Sequence, residues 1–123
     1  MGQADVTVRG GYHLEIQRLE KELADIATRS MYLMKYDGHI IGWDDILGSG
    51  NRKHNFVPRA IVWKVLHDDG MPIKSIARAF GRSRTGIQSG ITRLNERLPF
   101  DAQASLLFET TQENYNAQTH SPR

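Results

Sequence analysis

Apolar residues recur at helical spacing along most of the chain, and no segment shows the alternation that is typical of a strand. Segments 58–69, 72–80 and 83–98 each place their apolar residues on one side of a helix. Gly70 and Gly81 follow the first two segments at the position where helices commonly end. The pattern predicts an all-α protein. The residues expected to face the core are Ile61, Val62, Val65, Leu66, Ile73, Ile76, Ala77, Phe80, Ile87, Ile91, Leu94 and Leu98.

The first part of the chain is predicted to form a flexible arm over residues 1–11 and a long amphipathic helix over 12–36. Alternating steps of three and four residues give this helix the a/d rhythm of a short coiled coil. Its stripe either packs on the rest of the same chain, which is the favoured interpretation, or binds a second copy or a partner helix. The stripe consists of Ile16, Leu19, Leu23, Ile26, Ser30 and Leu33.

The rest of the chain divides into a small helical domain, 37–98, and a C-terminal segment, 99–123. Within the domain, 37–51 is expected to form a turn, a short apolar element and a loop, and Pro58 is expected in the first turn of the next helix. Pro99 ends the last helix of the domain. The C-terminal segment is predicted to be a short helix capped by Asp101, or a disordered tail.

Segments 72–80 and 83–98 have the arrangement of a helix-turn-helix, with Gly81 in the turn and Ser83 as the N-cap of the second helix. The outward side of that helix carries small polar and basic residues, which suit a helix lying in the major groove of DNA. Gly86 and Gly90 cost about 1 kcal/mol each relative to Ala in a helix. Close approach of another group explains them: we expect DNA at Gly86 and a neighbouring helix at Gly90.

Basic residues are concentrated in the same region. Residues 52–97 contain ten basic and three acidic side chains, a net charge of +7, whereas the rest of the chain carries −5. This segregation is typical of a surface that binds phosphates. A basic loop, 51–59, is predicted to contact phosphates or the minor groove through Arg52, Lys53 and His54. The predicted DNA-binding residues are Arg52, Lys53, His54, Arg59, Lys74, Arg82, Ser83, Arg84, Thr85, Gln88, Ser89, Thr92 and Arg93.

The motifs VPRAIVWKVL and MPIKSIARAFGR, with the basic residues before them and the helix after them, resemble the C-terminal DNA-binding domain of the bacterial replication initiator DnaA. The resemblance covers about residues 44–98. It implies backbone or minor-groove contacts for Arg52, Lys53 and Arg59, and recognition-helix positions for Arg82 and Thr85. Of the family's Asp-His-Thr-Thr signature only Thr85 is retained, so the resemblance does not imply the family's nonamer as the target.

The hexapeptide QASLLF, 103–108, resembles the peptide through which bacterial proteins bind the replicative sliding clamp. Gln103, Leu106 and Phe108 match that pattern. Short patterns of this kind often arise by chance, so the favoured alternative is a last helix that buries Leu106, Leu107 and Phe108.

Catalytic chemistry finds no support in the sequence. The histidines lack metal-ligand spacing, there are no cysteines, and no nucleophile-and-base pattern occurs, so we expect neither an enzyme nor a cofactor. The expected function is double-stranded DNA binding in replication or transcription control, in the cytoplasm of a bacterial or phage-infected cell and associated with the nucleoid. The alternative is a protein adaptor that acts on the replication machinery through helix 12–36 or the QASLLF peptide.

Overall fold

Six α-helices and one small β-hairpin make up the part of the chain that the computed structural model describes, namely the backbone of residues 2–48 and 53–120 and the side chains of 14–48 and 56–120. The all-α class is confirmed. The elements are α1 (Gly2–Arg29), β1 (Lys35–Tyr36), β2 (His39–Ile40), α2 (Trp43–Leu47), α3 (Lys53–Asp68), α4 (Ile73–Phe80), α5 (Arg84–Arg97), a 3₁₀ turn (Leu98–Phe100) and α6 (Ala102–Thr119).

Helix α3 is the centre of the fold, and α1, α2, α5 and α6 pack around it. Its residues Val57, Ala60, Ile61, Val62 and Leu66 are completely buried. The helix begins at Lys53, five residues before Pro58, so the prediction that Pro58 lies in the first turn is wrong. Burial of the apolar residues on both sides of the proline stabilises this helix, although proline cannot donate a backbone hydrogen bond.

Helix α1 differs from its prediction at both ends. It begins at Gly2, within the segment expected to be a flexible arm, and it ends at Arg29 rather than at residue 36. A hairpin replaces the last predicted turns: β1 and β2 pair antiparallel, with Tyr36 opposite His39. Asp37 and Gly38 form the two-residue loop with φ angles of 53° and 80°, the conformation that Asp-Gly adopts in type I′ turns.

The buried face of α1 is also shifted relative to the predicted stripe. Ala24 and Ala27 are buried, whereas Leu19 is 47% exposed; beyond the end of the helix, Met31 is buried and Leu33 is 61% exposed. Among the predicted residues, Ser30 is buried and its hydroxyl donates to the carbonyl of Ile26 at 2.8 Å. The second half of α1 therefore packs within the chain, as favoured: Leu23 and Ile26 of the stripe are partly buried against the core, and the small residues Ala24 and Ala27 beside it are buried.

The C-terminal segment is ordered as a helix to Thr119, well beyond the short helix or tail that was predicted. The Asp101 side chain caps it by accepting a hydrogen bond from the Ala104 backbone at 3.0 Å, which confirms the predicted cap. Tyr115 is buried, and its hydroxyl donates to Asp69 at 2.7 Å. Within the described residues, none of the helices has both the length and the apolar character that crossing a bilayer requires.

Candidate nucleic-acid interface

Helices α4 and α5 are joined by a short turn whose geometry follows from its sequence. Gly81 adopts the left-handed conformation, with φ 63° and ψ 39°, and the backbone N–H of Arg82 donates to the carbonyl of Ala77 at 2.9 Å. This is the Schellman ending that glycine favours. Ser83 then caps α5 by accepting a hydrogen bond from the Gly86 backbone at 3.0 Å, as predicted.

Helix α5 separates an apolar face from a polar one. Ile87, Ile91 and Leu94 are buried and Leu98 is partly buried, which confirms the predicted core face. The opposite face exposes small polar and basic side chains to solvent. The exposed residues are Arg84, Thr85, Gln88, Ser89, Thr92, Arg93 and Glu96.

The two glycines of α5 have different surroundings. Gly90 is buried against the ring of Trp63, whose Cζ3 atom would lie 2.6 Å from a Cβ at that position. The prediction of helix packing at Gly90 is therefore confirmed. Gly86 is exposed, and a Cβ there would meet the Ser83 hydroxyl oxygen at 3.0 Å. The predicted approach of DNA at Gly86 stays a prediction.

A cleft between α3 and α5, which we call the arginine cleft, is lined by several positively charged side chains. It has a volume of about 650 Å³. Among the described side chains that line it, four are arginines, two are serines and two are aromatic, and none is acidic. The lining residues are Phe56, Arg59, Trp63, Arg82, Ser83, Gly86, Ser89, Gly90, Arg93 and Arg97.

Aromatic rings of α3 position two of these arginines. The guanidinium of Arg82 lies 5.9 Å from the centre of the Trp63 ring, and that of Arg93 lies 4.2 Å from the centre of the Phe56 ring. Both distances are within the range of cation–π attraction. Arg82 also donates a hydrogen bond to the carbonyl of Gly48. The rings therefore hold positive charge at the cleft, and this role of Phe56 and Trp63 was not predicted.

Arg59 is the buried arginine among the described lining residues of the arginine cleft, and it exposes only 5% of its surface. Burial, and to a smaller extent the charge of Arg82, lower its pKa from the usual value, while Asp45 acts in the opposite direction. An arginine nevertheless stays protonated in proteins. The positive charge of Arg59 is thus buried close to the positive charge of Arg82, which repels it.

Arg97 has a structural role at the edge of the cleft. Its Nε donates to Asp101 at 2.8 Å and its Nη2 donates to the Tyr36 hydroxyl at 3.3 Å. Tyr36 in turn donates to Asp101 at 2.7 Å. Burial, followed by the hydrogen bond to Asp101, raises the pKa of Tyr36 to about 12. These three side chains connect the hairpin, α5 and the start of α6, which the sequence did not reveal.

The predicted basic loop is replaced by helix from Lys53 onward, so the expectation of a flexible segment over 51–59 is wrong for that part. Arg59 faces the cleft from inside this helix rather than from a loop. Arg52 lies outside the described residues, as do the side chains of Lys53 and His54.

All but two of the remaining predicted DNA-binding residues line one of two neighbouring surfaces. Arg59, Arg82, Ser83, Ser89 and Arg93 come together at the arginine cleft. Arg84, Thr85 and Gln88 line an adjoining shallow depression together with Ser89. Lys74, near the start of α4, and Thr92 are exposed and belong to neither lining.

The QASLLF peptide lies in the first turns of α6, not in a flexible tail. Leu107 is buried and Phe108 is partly buried, whereas Leu106 is 65% exposed. The favoured core-helix interpretation is thus correct for Leu107 and Phe108 and wrong for Leu106. Gln103 accepts a hydrogen bond from the backbone of Asp37 at 2.9 Å, so it links α6 to the hairpin.

Comparisons with protein-family models, with curated proteins and with solved structures give no match for this chain. The resemblance to the DnaA domain therefore stays a prediction that rests on the quoted motifs.

Proposed function

We propose that this protein binds double-stranded DNA, with α4 and α5 acting as a helix-turn-helix and α5 entering the major groove. The observation that carries the proposal is the exposed face of α5, which presents small polar and basic side chains beside a cleft lined by four arginines. A helix with short outward side chains can approach base edges closely. Glu96, near the far end of α5, is the acidic exception on this face.

Base contacts fall to the first half of α5. Arg84 can donate two hydrogen bonds to guanine, Gln88 can pair with adenine, and the methyl group of Thr85 can contact thymine. All three side chains are exposed, and all three line the same shallow depression. Their common position supports reading of neighbouring base pairs.

Phosphate contacts fall to residues around that surface. The N-terminus of α5 favours anions because of its free backbone N–H groups and the helix dipole. Arg82 and Ser83 immediately precede this N-terminus. Arg93 lies on one side of the exposed face, with its guanidinium over the ring of Phe56. The exposed Lys74 adds a positive charge near the start of α4. Such contacts would fix the position of α5 on the duplex.

A role in replication or transcription control in a bacterial or phage-infected cell rests on the resemblance to DnaA. The assay is fluorescence anisotropy of the purified protein with three labelled duplexes: a random sequence, a DnaA-box duplex and the DNA that flanks its own gene. Each is titrated at two salt concentrations. We expect binding that weakens steeply with salt. Absence of binding to every duplex at low salt would refute the proposal.

A second candidate, binding to another protein or to a second copy through α1, is favoured by one observation. Leu14, Ile16 and Leu19, around the middle of that helix, are 66%, 36% and 47% exposed. A second copy would suit a DNA reader, because one helix-turn-helix contacts few base pairs. For the clamp-binding alternative, the helical and partly buried QASLLF segment offers no support.

A further inference from the structure

The arginine cleft concentrates positive charge more than an ordinary surface would. Arg59, Arg82, Arg93 and Arg97 all line it, and the described lining contains no carboxylate. Asp101 accepts a hydrogen bond of 2.8 Å from Arg97, and Arg59, Arg82 and Arg93 line the same space. Like charges in a partly desolvated cleft repel one another, and an anion between them reduces this repulsion.

The polar groups of the cleft suit an oxyanion with several acceptor oxygens. Ser83 and Ser89 add hydroxyl donors beside the guanidinium groups. At Gly86 no side chain covers the backbone that lines the cleft. Guanidinium groups bind phosphate oxygens in pairs, and charge-assisted hydrogen bonds are stronger than neutral ones. The volume of about 650 Å³ leaves room for a phosphoryl group with part of the molecule that carries it.

The packing of α3 on α5 makes the cleft a preformed site. Arg59 is held in α3, inside the protein, and exposes 5% of its surface. Arg82 and Arg93 are held over the rings of Trp63 and Phe56, which also belong to α3. Donors that are already in place lose little conformational entropy when a ligand binds.

We propose that the arginine cleft binds a phosphoryl group, and that this group joins α3 to α5 and stabilises the protein even when no duplex is present. The phosphoryl group can belong to a DNA backbone or to a free phosphate or phosphate ester. Binding of a phosphoryl group in the cleft does not depend on the proposed function. Only the identification of that group as part of a DNA backbone rests on the proposed function.

The test measures thermal unfolding in sodium phosphate and in sodium chloride of equal ionic strength. Phosphate should raise the Tm of the wild-type protein by about 5 °C more than chloride when the site is saturated. Arg59→Met removes the charged group of the buried side chain and keeps an unbranched stem, and Arg93→Met makes the same change at an exposed position. Both variants should lose most of the phosphate-specific rise.

Arg29→Met is the matched control, because Arg29 is an exposed arginine of α1 that pairs with Asp25. This variant should keep the full phosphate-specific rise, which separates the cleft from a general effect of phosphate on protein hydration. An equal rise in the wild type and in both cleft variants would overturn the proposal, and so would the absence of a rise in the wild type.

Competition identifies the source of the phosphoryl group. If the cleft binds the DNA backbone, phosphate should weaken binding of a random duplex more than chloride of equal ionic strength, and Arg59→Met should abolish that difference. If phosphate stabilises the protein while duplex binding is absent or unaffected by it, the site takes a free phosphate or phosphate ester. If duplex binding is absent while phosphate still stabilises the protein, the proposed function fails but the phosphoryl site in the cleft is supported.

Discussion

A Cβ atom at position 90 would lie 2.6 Å and 2.9 Å from two carbon atoms of the Trp63 ring, so α5 approaches α3 this closely only with glycine at that position. The contact fixes one wall of the arginine cleft, since both residues line it. A residue that is unfavourable within a helix is thus explained by the packing of the two helices that form the candidate site.

Gly90→Ala should therefore destabilise the protein. Alanine is favoured over glycine in a helix by about 1 kcal/mol. The clash with Trp63 outweighs this gain, because overpacking of a core costs about 1–3 kcal/mol and the ring cannot move without disturbing its neighbours. The free energy of unfolding in urea should fall. The phosphate-specific rise in Tm should also fall, because the wall of the arginine cleft is displaced.

Gly86→Ala provides the comparison on the same helix. A Cβ at position 86 would meet only the Ser83 hydroxyl oxygen, at 3.0 Å, among the described atoms near it. The loss of stability should be clearly smaller than for Gly90→Ala. An equal or larger loss at position 86 would show that the packing on Trp63 is not what requires glycine in α5.

Local features of the α4–α5 region could be predicted from the sequence because each depends on residues close in the chain. Gly81 ends a helix, Ser83 caps the next one, and the spacing of Ile87, Ile91 and Leu94 gives the core face. These signals act within one or two helical turns. The reading face of α5 follows from the same periodicity, although its function stays a prediction.

Features that depend on distant residues could not be predicted in the same way. The buried face of α1 uses Ala24 and Ala27, whose small side chains give little signal beside the larger residues of the apparent stripe. The hairpin was missed because residues 12–36 were predicted to form a single helix, although Asp37-Gly38 is itself a strong turn signal. The arginine cleft arises only when α3 packs on α5, so neither helix shows it alone.

Arg84→Ala and Gln88→Ala test the assignment of α5 as the reading helix. Each should reduce the preference for the best duplex over a random one by about 1–3 kcal/mol, because a base contact is lost. Fluorescence anisotropy with both duplexes measures this ratio. Retention of the full sequence preference in both variants would mean that α5 does not read the bases.

Lys74→Ala is the contrasting variant, since Lys74 is exposed near the start of α4 and is assigned to phosphate. It should weaken binding to all duplexes alike and reduce the slope of log affinity against log salt by about 1. A change of sequence preference in this variant would contradict its assignment to the backbone.

Asp101→Asn tests the connection between the hairpin, α5 and α6. Burial alone would raise the pKa of Asp101, but hydrogen bonds from Tyr36, Ala104 and Arg97 outweigh it, and the pKa lies below the usual 3.8. The charged form is therefore favoured in the folded protein. Its stabilisation is complete above the unfolded value and is lost as the pH falls through the lowered folded value.

The expected result is a lower Tm for Asp101→Asn at pH 7, with the difference from the wild type shrinking below about pH 4. Asparagine is as good an N-cap as aspartate, so the variant removes the charge and keeps an oxygen for the cap. Asp25→Asn, in an exposed pair with Arg29, is the control and should change the Tm little. A difference that stays constant from pH 7 to pH 3 would exclude the charge as its cause.

The exposed leucines of α1 lead to a prediction about assembly. Because Leu14 and Leu19 are 66% and 47% exposed, replacing both with serine should leave the packing of the chain unchanged. Deleting α1 would be a poorer test, since Ala27 of this helix is completely buried. If α1 joins two copies, light scattering after size-exclusion chromatography should show a dimer for the wild type and a monomer for the double variant.

Binding to DNA should follow the change of mass. A dimer that reads two half-sites loses most of its affinity when it becomes a monomer, because each helix-turn-helix alone contacts few base pairs. Leu106→Ser is the control, since Leu106 is a comparably exposed leucine on α6, at 65%. It should change neither the mass nor the affinity. A monomeric wild type with unchanged DNA affinity in the double variant would contradict self-association through α1 and would leave another protein as the occupant of this face.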